Sequence, residues 1–160
     1  MSFDLFLIAF KEGRSVSTDP SAARRLIDGL QHRSDLEAGY YDVQFADGSH
    51  VELRAEGLRG EASFNGAMVM LRSFSFSPSV TQFIRDFAAA ARLVIVAVDP
   101  PVTLLPFDDL RADLPADLLE SRQAITISDG QELGRVLSGG FDQWKAYRDK
   151  IVEDAQQKTS

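Results

Sequence analysis

Cysteine is absent from the 160 residues. That removes disulfides, thiolate nucleophiles and cysteine-based metal sites together, and it fits a reducing cytoplasm. Histidine occurs twice, at His32 and His50. One is expected to end a helix and the other to open a strand, with no ligand spacing around either, so no metal is expected. No apolar run approaches the roughly 20 residues that a membrane-spanning helix needs. The opening stretch MSFDLFLIAFKEG has no basic leading segment and is interrupted by Asp4, so it reads as a strand and not as a signal peptide. A soluble, cytoplasmic protein with no membrane association is the expectation.

Other chemistry is missing as well. GLRG and SGG are neither a G-x-G-x-x-G loop nor a P-loop, and no G-x-S-x-G elbow is present. The serines of FSFSPS and LSGGF suit turns and helix caps. No catalytic residue and no cofactor is assigned.

What is present is acid. The formal net charge is -7, which repels phosphate backbones and argues against nucleic acid as a partner. The acids are unevenly spread. Asp99, Asp108, Asp109, Asp113, Asp117 and Glu120 fall within 22 residues and are opposed there only by Arg111. Such a segment is either a solvated loop or a surface that attracts a basic protein partner.

The apolar pattern is that of one folded unit, expected over residues 1–155 with a frayed tail at 156–160. Residues 3–10 alternate Leu5, Leu7 and Ala9 with Phe6, Ile8 and Phe10, which predicts a central strand covered on both faces. Asp19 and Pro20 open a helix whose stripe is Ala23, Leu26, Ile27 and Leu30. The stretch YYDVQFADGSHVELRAEG predicts a hairpin about Asp47–Gly48, with Tyr41, Val43, Phe45, Val51, Leu53 and Ala55 dry. A further strand is expected near 66–74.

Ser77 and Pro78 start the strongest amphipathic helix, with Val80, Phe83, Ile84, Phe87, Ala88 and Ala91 on one face. LVIVAV predicts a second strand buried on both faces. Pro100 after Asp99 favours an extended exit, so DPP is read as the end of that strand in preference to a catalytic carboxylate. A short extended piece at 102–105 and a helical turn at 115–121 follow, then a strand in QAITIS. Asp129 and Glu132 form a capping box for a short helix. A last helix carries Phe141, Trp144, Tyr147, Arg148 and Ile151. Asp4, a charge in an apolar strand, is expected to form a structural ion pair.

This order predicts an α+β fold: a single domain, its mostly antiparallel sheet packed by helices, ferredoxin-like in its first part. The opening MSFDLFLIAFKEG, the DGS hairpin and the closing FDQWKAYRDKI together resemble a group of small bacterial proteins, some of them similar to immunity proteins of polymorphic toxin systems. The resemblance lies at the two ends of the chain. It implies a cytoplasmic, stand-alone bacterial domain that binds and does not catalyse, and it transfers no catalytic residue.

Three readings stand. The first is a non-enzymatic protein-binding module, of the immunity-inhibitor kind, using an acidic surface at Asp108, Asp109 and Asp113, with Trp144 and Arg148 as further contacts. The second is a small-molecule-binding or hydrolytic enzyme using carboxylates at the end of the 93–98 strand, with Asp99 foremost. The third is a homodimeric structural protein.

Overall fold

The computed structural model describes residues 3–35, 39–60, 62–71, 77–98 and 101–138. Asp99, the last helix with Trp144 and Arg148, and the tail at 156–160 lie outside the described residues.

The strands are β1 (Phe3–Ile8), β2 (Phe10–Lys11), β3 (Arg14–Ser15), β4 (Gln31–Asp35), β5 (Tyr40–Gln44), β6 (His50–Arg54), β7 (Gly66–Leu71), β8 (Val94–Ala97), β9 (Val102–Leu105) and β10 (Gln123–Thr126). The helices are α1 (Ser21–Asp28), α2 (Pro78–Ala91), α3 (Ala116–Ser121) and α4 (Gly130–Ser138), with a 3₁₀ turn at Asp108–Asp113. Eight strands form one sheet in the order β10-β9-β8-β1-β7-β6-β5-β4, and β2 and β3 make a separate short hairpin. Every neighbouring pair in the large sheet is antiparallel except β9 with β10. This is a compact α+β domain. Four strands stand between α1 and α2 where a ferredoxin-like unit has two, so that scheme remains an analogy.

Period-two patterning decides the register. Tyr41, Val43, Val51, Leu53 and Val69 are buried on one face, and α1, α2 and α4 pack there. Leu5 and Leu7 of β1 join the same core, between β7 and β8. Helix α2 starts as its sequence predicts: Ser77 accepts a hydrogen bond from the Ser79 amide, and Pro78 occupies the first turn. Its whole apolar stripe is buried. Phe83 and Phe87 stack at 5.8 Å, and Phe45 and Phe64 close on them at 5.8 and 6.5 Å. Each large side chain contributes about 1.5–3 kcal/mol by burial. Helix α4 packs against α2 through glycine: a Cβ on Gly130 would stand 2.4 Å from the Gln82 backbone. The N-cap half of the expected capping box forms, the Glu132 amide donating to Asp129 Oδ1 at 2.9 Å, while the Glu132 carboxylate accepts from the Ser128 hydroxyl.

A second, smaller core lies on the opposite face. Val94, Val96 and Leu105 meet Leu110 and Leu114 there, with Ile8, Phe10, Phe107 and Leu118 packed beside them. The segment after β9 therefore folds back over β1, β8 and β9. Both faces of β8 and β9 are covered, as their unbroken apolar runs imply.

Several expectations need correction. Residues 31–35 form an edge strand, so His32 lies in β4 and does not end a helix. Polarity hid this strand, because all four of its residues besides His32 could equally belong to a loop. The KEGRS stretch turns the chain as expected, within the short β2–β3 hairpin, with Glu12 and Gly13 at positive φ. Phe6, expected to be covered, keeps 36% of its surface. Glu52, on the expected wet face of the hairpin, is buried at 8%. Asp4 lies half-buried opposite Met70 and forms no ion pair among the described residues.

Candidate functional site

Directly opposed residues of an antiparallel pair share a face. The register therefore fixes one polar row across the sheet, on the side away from the helices: Arg33 opposite Asp42, Asp42 opposite Glu52, Glu52 opposite Met70, and Met70 opposite Asp4. His50 sits two residues before Glu52 and so points the same way. Its Nδ1 lies 3.0 Å from Asp42 Oδ1. Asp42, His50 and Glu52 each place a potential ligand atom within 4.8 Å of the others. One is exposed, one half-buried and one buried. His32 stands opposite Val43, on the helix side, and its Nδ1 contacts the Leu30 carbonyl at 2.9 Å. The two imidazoles are thus on opposite faces of the sheet.

The hairpin tip is held by Asp47. Its carboxylate accepts from the Ser49 amide at 2.9 Å, from the Ser49 hydroxyl, and from the Ser77 hydroxyl at 2.6 Å. The Ser49 bonds first and the Ser77 bond second push its pKa well below the usual carboxylate range. One side chain therefore ties the turn between β5 and β6 to the N-cap of α2.

The acidic segment makes a ledge over the second core. Leu110 and Leu114 point down into that core, while Asp108 and Asp109 point out, their side chains 78% and 68% exposed. Arg111, the one base of the stretch, turns inward. It donates to the Ala124 carbonyl at 2.7 Å and the Thr126 hydroxyl at 3.2 Å, and it also reaches Asp108. The Thr126 hydroxyl and then Arg111 hold the Asp108 carboxyl below its ordinary pKa. Asp109 pairs with Arg92. Asp113 is half-buried and accepts from the Glu12 amide at 3.1 Å, with Lys11 at 3.9 Å, so it anchors the β2–β3 turn. On α3, Asp117, Leu119 and Glu120 are exposed, with Leu119 showing 47% of its surface.

Of the residues singled out from the sequence, Asp108, Asp109 and Asp113 are thus brought onto one side of the molecule, each with a local basic or hydroxyl partner. Trp144, Arg148 and Asp99 lie outside the described residues. The Asp42–His50–Glu52 group was missed. Its signal was present: His-x-Glu at period two, and a turn at Asp47–Gly48 that sets Asp42 across from Glu52. Comparison with family models, curated proteins and solved structures returned no match.

Proposed function

We propose that the chain is a non-enzymatic, cytoplasmic binding domain that takes a basic protein partner on the ledge formed by the 3₁₀ turn and α3. The observation that carries this reading is the exposed group of Asp117, Leu119 and Glu120 on α3. Asp108 and Asp109 are paired with Arg111 and Arg92, whereas Asp117 and Glu120 form no ion pair among the described residues and flank the exposed Leu119. Acids rimming an apolar contact steer a basic partner and then give it something to bury. The chain ends resemble a group of small bacterial proteins, some of them similar to immunity proteins, which makes a basic toxin domain the first kind of partner to try.

The test uses the acids that have no structural duty. Asp108 and Asp113 also hold the fold, so their loss confounds binding with stability. The double variant Asp117→Lys/Glu120→Lys is cleaner. Immobilised wild-type protein is expected to retain a discrete basic protein from host lysate, to release it as salt screens the charges, and to lose it in the double variant. Equal retention by both proteins would assign the partner to another surface.

A further inference from the structure

We propose that Asp42, His50 and Glu52 form a binding site for a borderline divalent transition ion such as Zn2+. The inference is independent of the ledge and lies on a different part of the sheet.

Three observations carry it. The first is donor chemistry. One imidazole nitrogen and two carboxylates are a ligand set that suits first-row transition ions, whereas Mg2+ and Ca2+ prefer oxygen alone. The second is geometry. At metal–ligand distances of about 2.0–2.2 Å, neighbouring ligand atoms on one ion lie about 3–3.5 Å apart. His50 Nδ1 and Asp42 Oδ1 are already 3.0 Å apart, and the three donors fall within 4.8 Å of one another. The third is placement. All three side chains come from two adjacent strands whose register is set by the buried residues between them, Val43, Val51 and Leu53. A site on paired strands is held more firmly than one on a loop.

The burial of Glu52 adds to this. With 8% of its surface left, the Glu52 side chain is confined by its surroundings, so its carboxylate is held in place beside Asp42. His50 is exposed, so the approach to the site is from its side. Three protein donors leave one or more positions on the ion for water or for a group from another molecule.

Isothermal titration of the full-length protein with Zn2+, with Mg2+ and Ca2+ as comparison arms, tests the assignment. The expected result is saturable binding of a single Zn2+ per chain, preferred over Mg2+ and Ca2+ by at least about tenfold. His50→Ala and Asp42→Asn should each weaken it at least about tenfold, while His32→Ala leaves it unchanged. His50 and Asp42 are not in the core, so both variants should fold; far-ultraviolet circular dichroism confirms this before titration, and the buried Glu52→Gln is a further variant, not a necessary one. Absence of saturable Zn2+ binding overturns the proposal. So does binding that His50→Ala leaves within about twofold, or binding abolished by His32→Ala.

Discussion

The sheet face turned away from α1, α2 and α4 has two unlike halves. Over β8, β9 and the Ile8 end of β1 it is covered by Leu110, Leu114 and Phe107 and by Phe10 of β2. Over β4, β5 and β6 it carries Arg33, Asp42, His50, Glu52 and Arg54. Backbone geometry is shared, and side-chain chemistry alone makes the difference. Where both faces of a strand are apolar the chain must spend residues on a cover; where one face alternates with charge, that face is left for other work. Stability is thereby placed in one half of this face and candidate chemistry in the other.

That division makes graded predictions. Leu105→Ala, at a fully buried position of the sealed half, should destabilise the protein by about 2–5 kcal/mol, read from the midpoint of urea unfolding. A much smaller loss would mean that the cover is not a true core. Thr103→Val should act in the opposite direction. The Thr103 hydroxyl is buried without a hydrogen-bond partner among the described residues, and replacing it by a methyl of similar shape should stabilise by about 1 kcal/mol. In the polar half, His50→Ala should shift metal-free stability by less than about 1 kcal/mol, because the pair with Asp42 is half exposed. A loss as large as that of Leu105→Ala would erase the contrast.

The smallest effect is confined to acid. Asp47 has a folded-state pKa below its ordinary value of 3.8. Its contribution is present above that value and fades as pH falls toward the folded-state pKa. Wild type should therefore lose stability below about pH 4 more steeply than Asp47→Asn, with hydrogen exchange rising first at Gly48 and Ser49. Identical acid profiles for the two proteins would remove Asp47 from this role.

The strongly periodic parts of this fold could be read without coordinates. Helix α2, the β5–β6 hairpin, β8 and the N-cap at Asp129 each show several concordant local signals, and each forms as expected. Strand β4 could not be read, because an edge strand of Gln31, His32, Arg33, Ser34 and Asp35 has no dry face to mark its period. The 3₁₀ turn was hidden among acids and prolines, since only Leu110 and Leu114 betray what it covers. The Asp42–His50–Glu52 group needed one further step, folding the hairpin about its turn and asking which polar residues then meet. Burial of Glu52 was beyond local pattern altogether, for it depends on what lies across the sheet.

Strand β1 has a consequence for how the molecule comes together. It is held between β7 and β8, with Leu5 set against Val69 on one side and Ala97 on the other. During synthesis this apolar ribbon leaves the ribosome well before either neighbour exists. Its hydrogen bonds to β7 must wait until the chain has been extended past residue 71, and those to β8 until past residue 97, so closure of the sheet is a late, long-range event. Until then Leu5, Leu7 and Ile8 have to be kept from pairing with other chains, and folding yield should depend on temperature and crowding during expression more than the finished domain's stability would suggest.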